Sequence, residues 1–237
     1  MNSQFFRKCA EAIDMCKYVI IDLEMCKVPK NFRTSEYHWA METIQIGAVI
    51  VDENLEITDE FVTFVAPEFG YIDNYIKNLT GITRWDVKGA PSMEEAINAL
   101  LEWAPQNSIF VSWSDSDKFQ IKHEIDGKSI DIVGMDDILE NWFDCQKLFA
   151  DKIHESGKHY SLKDALIATG IIFDDKIHDG LVDARNTAKL FIKMKKENEL
   201  QLSEYYRLAK SDDNSGDCCE SKIGELFPWL VSIECTA

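Results

Sequence analysis

The chain alternates between short, nearly unbroken apolar runs and longer stretches whose apolar residues recur at helical spacing. Tyr18-Val19-Ile20-Ile21-Asp22-Leu23-Glu24 is β-branched and almost continuously apolar, the pattern of a strand covered on both faces. Residues 43–51 repeat that pattern and 57–65 supply a third run. Asp52-Glu53-Asn54 lies between them, so the second and third strands read as a hairpin. The intervening residues 26–42 are polar and irregular, a loop able to reach over a site.

Helical spacing appears first at Phe5, Phe6, Cys9, Ala12 and Ile13, predicting a short lead-in helix over 3–15. Residues 73–78 read as a short helix, and Leu79-Thr80-Gly81-Ile82-Thr83 as a tight turn with Gly81 as its permissive residue. Ser92 caps the next helix, Glu94 and Glu95 complement its N-terminal dipole, and Ala96, Ile97, Leu100, Leu101 and Ala104 form its inner face. Residues 108–113 are a fourth strand, and a helix starts in Ser114-Asp115-Ser116-Asp117 and runs to about Ile125. Residues 126–140 read as an Asp- and Gly-rich loop, and 142–144 as a short edge strand. Helices over 145–153 and 161–169 follow, the latter capped by Ser161 and ended by Gly170. A last long helix spans 180–198. This order of strands and helices predicts an α/β domain with a mixed sheet.

Beyond Leu208 the chain turns polar at Lys210-Ser211-Asp212-Asp213-Asn214-Ser215-Gly216-Asp217, and 223–233 form a final apolar piece. The division expected is one domain over 1–200 and an acidic extension over 201–237, which either docks back on the domain or binds a protein partner. The whole chain of 237 residues carries 25 Lys and Arg against 42 Asp and Glu, a net charge of −17. That excludes coating of nucleic acid by a broad basic surface, yet leaves room for an enzyme gripping a few phosphates through bound cations. The seven cysteines are scattered without a CxxC pair, which argues against a zinc module or a disulfide framework. No signal segment and no apolar run of 18 residues is visible, so a cytoplasmic protein without membrane contact is expected.

Against this background a few acids stand out. Asp22 and Glu24 end an apolar strand and point the same way, roughly 6.5–7 Å apart at Cα. Such a pair is costly unless something positive sits beside it. Asp183, Thr187, Leu190 and Met194 form one stripe of the last helix, so Asp183 opens the face that packs on the sheet. His178 lies five residues earlier, and Gly180 suggests that it sits on a bend before the helix. Asp117 and Asp115 compete for a further position after the fourth strand. Asp117 is preferred, because Asp115 is better placed as a helix cap.

Three segments together carry a resemblance: Asp22-x-Glu24, Ser112-Trp113-Ser114-Asp115-Ser116-Asp117, and His178-x4-Asp183-Ala184-Arg185-Asn186-Thr187-Ala188. With Gln45-Ile46-Gly47-Ala48-Val49 and Leu79-Thr80-Gly81-Ile82-Thr83 they resemble the motifs of the DEDDh 3′→5′ exonucleases over about residues 17–195. The resemblance is greatest to the KapD-like branch, which includes exonucleases that trim histone-mRNA ends and small RNAs. Ser114 stands where that branch often has Gly, and Ser116 where it often has an aromatic residue. The resemblance implies a ribonuclease H-like fold with a mixed five-stranded sheet flanked by helices. It implies two Mg²⁺ or Mn²⁺ ions per active site, held by Asp22, Glu24, Asp117 and Asp183, with Asp22 bridging both. His178 would be the general base beside Glu24, and Met25 and Leu79 would pack against the terminal base. Hard oxygen ligands suit such ions, which in pairs activate water and stabilise a leaving oxygen. The implied activity is release of nucleoside 5′-monophosphates from the 3′ end of single-stranded RNA or DNA, with RNA favoured. A catalytically silent module and a nuclease restricted to short oligonucleotides are the competing readings, the latter motivated by the net charge.

Overall fold

The computed structural model describes residues 17–173, 178–203 and Tyr206. The expected lead-in helix and the segments after Leu208 lie outside the described residues. Five strands, β1 (Tyr18–Lys27), β2 (Met41–Val51), β3 (Ile57–Phe64), β4 (Ile109–Ser112) and β5 (Phe143–Asp144), form one sheet in the order β3-β2-β1-β4-β5. β3, β2 and β1 run antiparallel, whereas β1, β4 and β5 run parallel. The expected mixed five-stranded sheet is therefore present, with the expected hairpin as one half of it.

The helices are α1 (Asn74–Thr80), α2 (Met93–Trp103), α3 (Asp115–Lys128), α4 (Met135–Glu140), α5 (Cys145–Lys152), α6 (Leu162–Ala168) and α7 (Gly180–Lys196). They cover both faces of the sheet, and the period-2 alternation of β1 assigns the faces. Tyr18 and Ile20 pack with Phe149, Leu166, Phe191 and Met194 of α5, α6 and α7. Val19, Ile21 and Leu23 pack with Ile97 and Leu100 of α2, Ile121 of α3 and Leu139 of α4. β1 is buried on both sides because both layers need it, which is why its sequence is apolar almost throughout. Asp22 and Glu24 continue the even-numbered face, the side on which α7 lies.

Several local expectations hold in detail. Ser92 and Glu95 form a reciprocal capping box at α2. Ser161 caps α6, and Gly81 closes α1 in the left-handed conformation.

Four expectations are corrected. The span 126–140 is not a loop: α3 continues to Lys128, and Met135–Glu140 forms α4 with Met135 and Leu139 buried. Gly127 within α3 makes room for two rings, since a Cβ there would lie 2.6 Å from the Trp39 ring and 2.7 Å from that of Tyr37. The loop expected over 26–42 is present but shorter, 28–40, since β1 extends to Lys27 past an irregularity at Glu24/Met25 and β2 starts at Met41, and it is anchored by buried Val28 and Tyr37. Ser114, not Asp115, caps α3; Asp115 is its first residue and pairs with Lys147. The final helix ends at Lys196, after which Ser203 still bonds to α6 through Ala168 and Ile167.

Candidate metal centre

The site forms where the end of β1 meets the start of α7. In the sheet register Asp22 lies opposite Gly47 of β2. A Cβ on Gly47 would sit 2.1 Å from the carbonyl carbon of Gly180 and 2.2 Å from the nitrogen of Leu181. A Cβ on Gly180 would lie 3.1 Å from the Asp22 carbonyl oxygen and 3.2 Å from Gln45 Oε1. Two glycines thus let the helix backbone rest directly on the strands. Gln45, buried opposite Glu24, fixes the contact by accepting a hydrogen bond from the Gly180 N–H at 2.9 Å.

The chain turns into α7 at His178, whose φ is 65°, and Asp179 caps the helix by accepting from the N–H groups of Leu181 and Val182. Gly180 therefore serves the close approach, whereas the bend is made by His178 itself. One helical turn later Asp183 points back into the cleft, and its Oδ2 accepts a hydrogen bond from the His178 backbone N–H at 2.9 Å. The whole stripe expected for this face, Asp183, Thr187, Leu190 and Met194, is buried.

Glu24, His178 and Asp183 offer ligand atoms that all lie within 4.8 Å of one another. The imidazole of His178 is exposed at the rim, whereas Glu24 and Asp183 are buried. Asp117 is buried at the start of α3 and accepts a hydrogen bond from the Leu23 N–H at 3.1 Å, which ties it to β1 between the two acids. Asp115 faces outward to Lys147. Of the two aspartates, Asp117 lies on the β1 side, bonded to the Leu23 N–H and near enough to Asp22 for their charges to interact, whereas Asp115 pairs with Lys147.

Removal of these acids from water dominates their titration. Burial raises Asp22 well above the ordinary carboxylate range, and the charges of Asp117, Asp183, Glu24 and Asp179 raise it further. Burial likewise pushes Asp117 up to about 7, against the lowering effect of the Leu23 N–H. Asp183 is raised by burial, partly offset by its bond from His178. Buried carboxyls raised by desolvation, with Asp22 raised further by its acidic neighbours, form a site that favours cations. The donors are carboxylate oxygens and one imidazole nitrogen, with Cys26 and Cys145 buried elsewhere. That set fits a hard divalent cation.

The two positions expected to meet a terminal base differ from each other. Met25 is half-buried against the core beside Leu23, whereas Leu79 is 36% exposed on α1. Trp113 is a core residue whose indole N–H donates to the Tyr160 carbonyl.

Sequence reasoning also missed a buried ionic cluster behind the site. Lys128 Nζ lies 2.8 Å from both Glu42 and Glu124, all three side chains being almost fully buried. Glu42 accepts the backbone N–H groups of Glu68, Phe69 and Gly70, and Glu124 accepts that of Thr43. The cluster locks the end of α3 to the start of β2 and so holds the frame in which Asp117 meets β1. A charged pair four residues apart on a helix, Glu124 and Lys128, was the available signal, but its partner Glu42 lies 82 residues from Glu124 in sequence.

A mixed sheet with helices on both faces and acids converging on its central strand defines an α/β domain with a carboxylate-lined site. The exonuclease family model matches residues 19–191, and the chain belongs to that family. It is 32% identical over 201 residues to the DNA polymerase III subunit epsilon of Aquifex aeolicus, covering 81% of this chain and 88% of that protein. It is 29% identical over 177 residues to ERI1 exoribonuclease 2 of Danio rerio, covering 65% of this chain but 31% of that longer protein. In fold it is similar to the nuclease domain of 3′hExo, a DEDDh family member solved bound to rAMP. That match has a TM-score of 0.64 at 21% identity and covers 79% of this chain and 96% of that one. No described helix is long and apolar enough to cross a membrane.

Proposed function

We propose that the protein is a metal-dependent 3′→5′ exonuclease that releases nucleoside 5′-monophosphates from single-stranded nucleic acid, RNA in preference to DNA. The observation that carries the reading is the convergence of Glu24, His178 and Asp183 within 4.8 Å, with Asp22 and Asp117 adding their charges from β1 and α3. The preference for RNA rests on the exoribonuclease relatives. Residues 1–200 would be the exonuclease domain and 201–237 an acidic extension, in a cytoplasmic protein.

Asp22, Glu24, Asp117 and Asp183 would hold two Mg²⁺ or Mn²⁺ ions. Such ions supply neutralisation of the phosphate and a more acidic water. The chain's own contributions follow from its geometry. Gly47, Gly180 and Gln45 set the distance between β1 and α7, so the carboxylates are placed before any substrate arrives. The His178 backbone N–H holds Asp183, while its imidazole, at the rim, is free to accept the proton of the attacking water. Leu79 and Met25 offer apolar surface to the last base, Leu79 from α1 and Met25 from beside Glu24.

The test is a panel of 5′-labelled RNA and DNA 20-mers, single- and double-stranded, incubated with Mg²⁺, with Mn²⁺ and with EDTA. Stepwise shortening from the 3′ end of single-stranded RNA, abolished by EDTA, is expected. Faster cleavage of DNA than of RNA would reverse the substrate preference, and intact oligonucleotides throughout would refute the reading.

A further inference from the structure

Residues 71–88 carry both buried apolar side chains and exposed aromatic ones. On the inner side Ile76, Ile82 and Val87 are buried with Cys26 and Ile44, which seats the segment against the end of β1 and the start of β2. On the outer side Tyr75 is 60% exposed and Trp85 is 63% exposed. Tyr75 lies on α1, where a helix seated by an apolar stripe ordinarily shows polar residues elsewhere, and Trp85 lies in the turn that follows. Neither ring stabilises the core, and each carries cations. Lys27 Nζ stands 4.7 Å from the centre of the Tyr75 ring, and Arg84 and Lys88 lie 4.8 Å and 5.3 Å from that of Trp85. In a chain of net charge −17, the segment holds three cations (Lys77, Arg84, Lys88) against two anions (Asp73, Asp86). A flat ring paired with a cation matches a nucleotide, which has a base to stack and a phosphate to neutralise.

The position of this face suits an incoming strand. Lys27 lies three residues beyond Glu24 on β1, about 10 Å away at the rise of a strand. We propose that Tyr75 and Trp85, with Lys27, Arg84 and Lys88, form a stacking platform for the nucleotides upstream of the 3′ end. This inference rests on the exonuclease reading of the Glu24 site for its polarity. It explains how an acidic protein grips a polyanion: most of the affinity comes from stacking on two rings, and only local charge is needed.

The test uses the full chain and the double variant Tyr75→Ala/Trp85→Ala. Binding of a fluorescent single-stranded RNA 20-mer is measured by anisotropy in Ca²⁺, and hydrolysis of the 20-mer and of a dinucleotide in Mg²⁺. Base stacking on one aromatic ring gives roughly 5- to 150-fold in affinity. The double variant is therefore expected to bind the 20-mer at least tenfold more weakly and to cleave it correspondingly more slowly at low substrate. Dinucleotide cleavage should stay within twofold of the parent. Tyr75→Phe/Trp85→Phe should recover most of the binding. Ile172→Ala, which removes an exposed side chain elsewhere, should change nothing. Unchanged 20-mer binding by the alanine variant, an equal loss on both substrate lengths, or no binding by the parent would overturn the proposal; in any of these cases the exposed rings point instead to a protein partner. A parent that binds through the two rings but cleaves neither substrate would leave the platform standing and sink the exonuclease reading alone.

Discussion

Gly47→Ala tests whether the contact between β2 and α7 sets the geometry of the acids. The added methyl would start 2.1 Å from the Gly180 carbonyl carbon and 2.4 Å from its oxygen, both backbone atoms that cannot rotate away. Ordinary contact begins near 3.4 Å, so the start of α7 would have to move by about 1.3 Å, carrying His178 and Asp183 with it. Overpacking of this kind costs about 1–3 kcal/mol. For a protein of this length each kcal/mol lowers Tm by about 2–4 °C, so a drop of roughly 2–12 °C is expected. A displacement near 1 Å in a reacting constellation costs on the order of 100-fold in rate. Calorimetric melting and the rate on a single-stranded RNA 20-mer in Mg²⁺ report the two effects separately. The rate should fall even at temperatures where the variant remains fully folded. A variant with parental Tm and parental rate would refute the close-approach argument.

Other outcomes follow from the same geometry. Asp183→Asn should weaken Mg²⁺ binding in a calorimetric titration, whereas His178→Ala should keep most of that affinity, because the bond to Asp183 comes from its backbone, and lose the cleavage activity. Asp117→Asn should abolish cleavage, while Asp115→Asn, which loses only an exposed pair with Lys147, should change stability by no more than about 1 kcal/mol and leave the rate intact. The raised carboxyls give a stability profile of definite sign. Asp117 titrates near 7 in the folded protein against an ordinary 3.8, so the folded state binds more protons across that interval. Without metal, Tm should therefore fall as pH rises from about 4.5 to 7, with Asp22 and Asp183 adding in the same direction. The carboxyls held low by hydrogen bonds, such as Glu60 and Glu95, lose their stabilising effect only below that window. Saturating Mg²⁺ should flatten the slope, and at about 100 times its Kd should add about 2.7 kcal/mol of stability.

The parts of the fold visible in the sequence are those with a short-range pattern. β1 and β2 announce themselves by unbroken β-branched runs, α2 by its capping box, and α7 by the stripe from Asp183 to Met194. The acids were legible for the same reason, since charge in such runs is conspicuous. What stayed hidden depends on contacts far apart in the chain. α4 is only six residues long and Met135 and Leu139 are buried in a cluster built by distant elements, so its own Asp-rich sequence looks like loop. Gly127 ends a helix by ordinary rules, yet here it makes room for Tyr37 and Trp39. Gly180 was legible as a special position but not for its purpose, because the atoms that crowd it, on Asp22, Gln45 and Gly47, lie more than 130 residues upstream. Gln45 left a usable trace: it is a polar residue inside an otherwise apolar strand, directly opposite Glu24.

The central question is whether the converging acids support hydrolysis from a 3′ end. The most direct measurement follows a 5′-labelled single-stranded RNA 20-mer with Mg²⁺ or Mn²⁺, beside the Asp183→Asn variant and an EDTA control, with the small products identified chromatographically. A ladder shortening from the 3′ end with nucleoside 5′-monophosphates as products is expected, absent in both controls. A full-length oligonucleotide after prolonged incubation with the parent protein, or a ladder that survives EDTA, would contradict it.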